Sequence, residues 1–256
     1  MKIVVFGETL RNEVIDSLTC DKRISIVDDI DSADLLLSLG GDGTLLNTLP
    51  VIGSREIPVL GVNLGRLGFL TGATRNDISS LAAMLLNGEF STVRRSVLEV
   101  CYSESNVQSS NEIHYALNEV AILRDENSST IPVDVFVNNL LLNNYRGDGI
   151  IFATPTGSTA YSLSCGGPVL PPEADNIVVT PVASHTLTVR PLVLTGNSVL
   201  HAKCSVACKL TLDARNFFLS TGAVITIKRA PFSFITMKLR GKEFFETLRE
   251  KLSWGV

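Results

Sequence analysis

Gly40-Gly41-Asp42-Gly43-Thr44 is the first place in this 256-residue chain where residue types and spacing could do chemistry. An apolar run, "DLLLSL", stops there, and another, "LLNTL", starts behind the threonine. Glycines let a backbone turn through positive φ and approach a ligand with no Cβ in the way. Successive N–H groups in such a turn make a concavity for phosphate oxygens. A helix capped by Thr44 would add its positive end. Strand, turn and helix would also place the loop at the carboxyl end of a strand, where open α/β sheets bind ligands. Asp42 is the odd member, because a carboxylate repels phosphate. It fits as the acceptor of a proton from an attacking hydroxyl, or as a hold on a divalent cation. As a plain turn former it needs no chemistry at all. Neither common nucleotide fingerprint is present: no Gly-Lys-Ser/Thr follows, and Leu46 stands where Gly-x-Gly-x-x-Gly needs its last glycine.

Asp148 to Pro172, "DGIIFATPTGSTAYSLSCGGPVLPP", is a second dense array. Pro155 excludes helix just before it, Gly157 permits a turn, and a short helix over 158–164 follows. One hydroxyl is enough to cap a helix; Thr156, Ser158 and Thr159 supply three. Tyr161 can pack or offer its hydroxyl to a polar pocket. Asn118-Glu119 is a third polar pair, an amide that both donates and accepts beside a carboxylate that accepts. Strict strand alternation sends the two side chains to opposite faces, so they share a ligand only if the strand ends or bulges there. Phe69 is either core or a wall for a base, in a turn bracketed by Gly65 and Gly68.

The elements that must hold these residues fall into two textures. Up to about residue 90, strand-like runs (2–6, 24–27, 33–39, 59–62) alternate with helical periodicity at Leu10, Val14 and Leu18. A further helix runs through Ile78, Leu81, Leu85 and Leu86, with Asp77 as its N-cap and Gly88 ending it. Such alternation predicts βαβ crossovers and a mostly parallel sheet. Beyond 90, "STVRRSVLEVCY", "IHYALNEVAILR", "IPVDVFVNNLLL" and "GAVITIKR" predict antiparallel strands. The polar stretches "SESNVQSSNE" and "RDENSST" read as loops between them. A last helix, 243–252, has no helical neighbour there and is expected on the first domain. The fold class is therefore α/β: a Rossmann-like three-layer domain (1–92 plus 240–256) and an all-β, sandwich-like domain (93–239).

Composition closes off other classes. Hydrophobic residues are 45% and charged residues 19%, which supports a well-filled core and excludes disorder. A net charge of −4 without a basic run argues against nucleic-acid binding. Apolar runs are too short to span a bilayer, and the amino terminus reads as a strand with no secretory leader. Five cysteines with no Cys-x-x-Cys pair suit a reduced, cytoplasmic protein. A zinc reading of His201, Cys204 and Cys208 lacks a fourth ligand and competes with strand alternation in "SVLHAKCSVACKLTL".

Gly40 to Thr44, "GVNLGRLGFLT" (61–71), Asn118-Glu119-Val120 and the Thr-Pro-Thr-Gly-Ser-Thr-Ala-Tyr block together resemble the NAD kinases, in that family's order. The glycine turn alone is shared with diacylglycerol and sphingosine kinases and with phosphofructokinases; the threonine-rich block is far more specific. The resemblance implies phosphoryl transfer from ATP or polyphosphate to the 2′-hydroxyl of the adenosine ribose of NAD. By that similarity Asp42 is the general base or orients the hydroxyl, and Gly40, Gly41, Gly43 and Thr44 handle phosphate. Gly43, Phe69, Leu70, Asn118, Glu119, Asp148, Thr156, Ser158, Thr159, Ala160 and Tyr161 line the NAD site, with Asp213 a weaker match. The family also implies Mg²⁺ or a similar cation carried with the donor, and a homodimer or homotetramer. This chain departs from the pattern at Ala214, which follows Asp213, and at Arg146-Gly147 before Asp148. No lysine stands out for the donor phosphates. A lipid or sugar kinase with the same turn, and a non-catalytic NAD(P) sensor, are the competing functions.

Overall fold

In the computed structural model, residues 1–65, 68–103, 112–125, 128–239 and 243–254 are described. Arg66 and Leu67 of the 61–71 motif, residues 104–111 of the first polar stretch and residues 126–127 of the second lie outside them. The chain divides into two compact units, Met1–Arg95 with Phe232–Val256, and Ser96–Pro231.

The first unit is the α/β one. Strands β1 (Lys2–Phe6), β2 (Ser25–Ile26), β3 (Leu35–Leu39) and β4 (Val59–Asn63) are linked through helices α1 (Arg11–Thr19), α2 (Asp42–Leu46) and α3 (Leu49–Ile52). β1 pairs in parallel with β2 and β3, β3 with β4, and β4 with the short β5 (Ala73–Thr74). Alternation decides the layers. Leu35, Leu37 and Leu39 share a core with Val14 and Leu18 of α1 and Leu81 and Leu85 of α4 (Leu81–Leu86). The other face holds Leu36, Ser38 and Gly61; a Cβ on Gly61 would lie 2.8 Å from Leu45 Cδ1, so α2 covers that side. Every residue of β3 is buried, as a strand covered on both faces must be. Each fully buried leucine there contributes about 1.5–3 kcal/mol.

The helix start near Ile78 is capped differently from the sequence reading. Asp77 sits inside a 3₁₀ turn (Arg75–Ser80), and its carboxylate reaches back to the Thr74 N–H in a capping box. Thr74 is the cap because its backbone is still extended, at φ −121°.

The second unit is a β-sandwich. One sheet has the order β13 (Leu192–Thr195), β12 (Asn176–Val182), β11 (Gly149–Ala153), β8 (Glu119–Arg124), β15 (Cys208–Leu212), β16 (Arg215–Leu219), antiparallel throughout. Facing it, β10 (Leu140–Gly147), β9 (Ile131–Val137), β14 (Leu200–Cys204) and the first half of β17 (Val224–Leu239) pair antiparallel. Ile122, Phe152 and Leu210 from one sheet pack with Val135, Ala202 and Ile225 from the other. The end of β6 (Phe90–Ser103) pairs with β7 (His114–Ala116).

The return to the first unit falls at Phe232, earlier than the 240 read from sequence. Thr236 and Met237 pair in parallel with Val59 and Leu60, so the second half of β17 completes the parallel sheet. Pattern cannot reveal this, because a single 16-residue strand serves both units without a break. The last helix, α6 (Phe244–Leu252), also belongs to the first unit.

Candidate active site

The glycine turn follows β3 as predicted, and its details answer what the acid does there. Gly40 sits at φ 151°, and a Cβ on it would collide with the Thr44 side chain, 2.3 Å from Oγ1. Glycine at 40 is thus a requirement of the protein itself. Gly41 and Gly43 differ: a Cβ on either would meet nothing within 4 Å among the described residues, and neither has positive φ. Both are exposed.

Gly41 is the N-cap of α2, not Thr44, which lies within the helix over Gly40. Thr44 N–H and Leu45 N–H both bond to Gly41 O, leaving the amides of Asp42 and Gly43 ahead of the first helical bond. The helix expected behind the turn is two short ones: α2 is five residues long, and α3 starts at Leu49 with Pro50 in its first turn.

Asp42 is half-buried, and its carboxylate reaches the 68–71 turn. Oδ2 accepts the Phe69 N–H at 2.8 Å and Oδ1 the Leu70 N–H at 3.1 Å. Gly68 makes this possible, since a Cβ there would lie 1.9 Å from Asp42 Oδ1. The same turn is tied by Thr71 Oγ1, which accepts the Gly68 N–H. Phe69 is half-exposed, while Leu70 is a buried side chain.

In the second unit Asn118-Glu119 does break the alternation. β7 ends at Ala116, the chain bends at Leu117-Asn118, and β8 begins at Glu119. Thr154 fastens the bend: its hydroxyl donates to Leu117 O at 2.6 Å and its N–H to Asn118 O at 2.9 Å. Gly157 lies so close that a Cβ would be 2.0 Å from Asn118 O. Asp213 accepts N–H groups from Leu117, Asn118 and Glu119 at 2.9, 2.7 and 3.2 Å. Thr154 and Gly157 had no local signal of this role; their partners lie some forty residues earlier in sequence.

Glu119 is 8% exposed, and its Oε2 has no hydrogen-bond partner among the described residues. Burial pushes its carboxyl up to about 8, the nearby Asp213 carboxylate pushes the same way, and the Tyr161 backbone amide opposes them. Glu119 is therefore a protonated acid at neutral pH, able to donate as well as accept. Burial likewise raises Asp213 against its three amide bonds.

Asp148 and the exposed Tyr161 line a cleft of about 330 Å³ with Leu123, Arg124 and Val182. Arg124 Nε holds Asp148 Oδ1 at 2.9 Å. Burial raises the Tyr161 hydroxyl, with smaller contributions from Cys165, Asp148 and Glu119, so it stays a donor. Gly147 is needed where it stands: a Cβ would lie 2.6 Å from Val182 O.

The threonine-rich block forms a 3₁₀ turn (Gly157–Thr159) and a four-residue helix α5 (Tyr161–Ser164), shorter than one continuous helix. Ser158 is fully buried, and its hydroxyl is occupied within the loop, donating to Pro155 O and accepting Leu170 N–H. Thr159 donates to Thr156 O at 3.2 Å; Thr156 is buried and Ala160 half-exposed. The hydroxyls thus build the loop first, and Tyr161 is its exposed polar group. Cys204 and Cys208 are core side chains of the sandwich, and His201 bonds Thr226, so strand alternation wins over the zinc reading. Among the described residues no three metal-binding side chains gather.

An acid-tipped glycine turn in an α/β unit, with a second polar cleft in a β-sandwich unit, defines a two-unit class of nucleotide phosphotransferases. Residues 19–90 match the ATP-NAD kinase N-terminal domain, and residues 117–239 the ATP-NAD kinase C-terminal domain. The chain belongs to the NAD kinase family. It is 41% identical to the NAD kinase of Christiangramia forsetii, over 91% of this chain and 81% of that one. It is 45% identical to the NAD kinase of Porphyromonas gingivalis, over 87% and 77%. An Archaeoglobus fulgidus NAD kinase solved in complex with ATP has a TM-score of 0.78 at 26% identity, covering 99% of both chains. Yeast NADH kinase complexed with NADH superposes with a TM-score of 0.89, covering 100% of this chain and 88% of that one; at 23% identity this is a likeness of fold.

Proposed function

We propose that this chain transfers a phosphoryl group from ATP, or from polyphosphate, to the 2′-hydroxyl of the adenosine ribose of NAD, giving NADP. One observation carries the reading beyond family membership. Among the described residues nothing lies within 4 Å of where a Cβ on Gly41 or Gly43 would be, although neither backbone requires glycine. Glycine there serves something outside the chain, and amides ahead of a helix's first bond suit phosphate oxygens.

In this reading Asp42 accepts the ribose hydroxyl proton as the oxygen attacks phosphorus. Each carboxylate oxygen can take more than one hydrogen bond, so the bonds from Phe69 and Leu70 fix its direction and leave acceptor capacity. Phe69 walls the base. Asn118 and Glu119 bind the diol or the exocyclic amine, and Asp148 and Tyr161 serve the other half of NAD. A divalent cation, carried with the donor phosphates, supplies charge neutralisation; a magnesium ion needs only one or two protein carboxylates, and Asp42 is the carboxylate of this turn. A homo-oligomer and a cytoplasmic setting complete the proposal, the latter supported by five free thiols.

Incubation with NAD, ATP and Mg²⁺, read out by an NADP-specific dehydrogenase, tests it. Signal is expected from NAD. Phosphorylation of a lipid or sugar instead, or NAD binding with no product from ATP or from polyphosphate supplied in its place, would overturn it.

A further inference from the structure

Asp213 belongs to a tight loop between β15 and β16, with Leu212 paired directly to Arg215 and only Asp213-Ala214 between. Its backbone is left-handed, at φ 52°, a conformation that aspartate tolerates better than most residues. Ala214 has no positive φ and is exposed, so alanine fits this loop without strain. What the loop delivers is a carboxylate aimed back at the bend between β7 and β8.

The bonds at that bend use nearly all of the carboxylate. Oδ2 takes the Leu117 N–H, and Oδ1 takes both the Asn118 and Glu119 N–H groups. Asp213 N–H returns the bond to Glu119 O at 3.1 Å. Consecutive amides converging on one acid cannot occur in a regular strand, where neighbouring N–H groups point to opposite edges. We infer that Asp213 is a positioning residue for the dinucleotide. It acts through the backbone, by holding the bend that presents Asn118 and Glu119 to one ligand, and does not touch that ligand itself.

The inference rests on the NAD-binding reading of Asn118 and Glu119. It also explains an arrangement that is otherwise unfavourable, two acids placed side by side in a poorly solvated site. The groups facing Glu119 are Asp213 and the Tyr161 amide; Arg215 acts on Asp213, and Asp148 and Cys165 act on the Tyr161 hydroxyl.

The test uses the full chain and two variants, Asp213→Asn and Asp213→Gly. Asparagine keeps the shape but faces an N–H with its own NH₂. Glycine accepts the left-handed φ and removes the clamp. NAD binding is followed by calorimetry and the reaction by NADP formation, from pH 6 to 9. Both variants are expected to melt as folded proteins, bind NAD about tenfold more weakly or worse, and keep the KM for ATP and kcat at saturating NAD. In wild type, NAD affinity should change as Glu119 loses its proton; in Asp213→Asn that change should move to lower pH, because a neighbouring negative charge has gone. Wild-type NAD affinity in either folded variant overturns the inference, as does a fall in kcat with NAD affinity unchanged. Unfolding of both variants also overturns it, since the carboxylate would then serve the fold. A wild-type chain that makes no NADP would overturn the functional proposal instead, and calorimetry with NAD still decides the role of Asp213.

Discussion

Two acids in this molecule do the same thing with backbone amides and yet serve different ends. Asp42, in the α/β unit, receives the N–H groups of Phe69 and Leu70. Asp213, in the sandwich unit, receives those of Leu117, Asn118 and Glu119. Each ties a loop that is distant in sequence. Around Asp42 the neighbouring glycines are exposed and leave open space on both sides. Around Asp213 the carboxylate is filled by amides, and a buried acid, Glu119, stands next to it. In the proposal the acid between exposed glycines is the reacting group, and the acid that takes three amide bonds places others. The hydrogen bonds alone do not separate a catalytic carboxylate from a positioning one. What distinguishes the two surroundings is the pair of exposed glycines beside Asp42 and the buried acid Glu119 beside Asp213.

The sharpest way to break this contrast is Asp42→Asn. Loss of the base should lower kcat by about 10²–10⁴ while NAD still binds, measured by NADP formation and calorimetry. Wild-type turnover would make Asp42 a loop tie of the same kind as Asp213. Gly68→Ala comes next. It leaves Asp42 in place but puts a methyl where its carboxylate lies, 1.9 Å from Oδ1. A carboxylate displaced by about an ångström should cost on the order of 10² in kcat.

Gly41→Ala sharpens the comparison from the other side. Its φ of −82° suits alanine and nothing crowds the new methyl, so the melting temperature should hold or rise slightly. If the space belongs to phosphate, kcat/KM should still fall about ten- to a hundredfold. Unchanged kinetics would mean the open space has no occupant.

The smallest effect is read from stability. The folded Glu119 carboxyl titrates above its ordinary range, so the native chain holds a proton that the unfolded chain has released. Its contribution is complete below pH 4.5 and is lost as pH rises toward about 8. For the ligand-free chain, Glu119→Gln should remove a slope of at most about 1.4 kcal/mol per pH unit in that window. Parallel pH profiles of melting temperature for the two proteins would contradict this.

Much of this was legible from local pattern. Apolar runs marked β1, β3 and β4, and the turn residues marked the loop after β3. Alternation in "IPVDVFV" marked β9, and the Asn118-Glu119 pair raised its own question by conflicting with alternation. Other assignments went astray for a shared reason. Thr44 reads as a cap, yet its side chain covers Gly40, and Gly41 caps the helix instead. A hydroxyl's sequence neighbours do not reveal which acceptor it will meet after folding. The return of the chain at Phe232 was equally invisible, because strand pattern records burial and not the partner strand.

The amino-acid sequence by itself determined the two textures of the chain, the glycine turn with its acid, and the residues from which a dinucleotide site could be built. Those depend on side-chain period and on backbone conformations that neighbouring residues impose. Only the tertiary structure decided which loop each acid ties, two amides of the 68–71 turn for Asp42 and three of the 117–119 bend for Asp213. That choice depends on loops brought together across 27 residues for Asp42 and Phe69, and 96 for Asp213 and Leu117. Such contacts are fixed by strand register and packing, which no local stretch of sequence encodes.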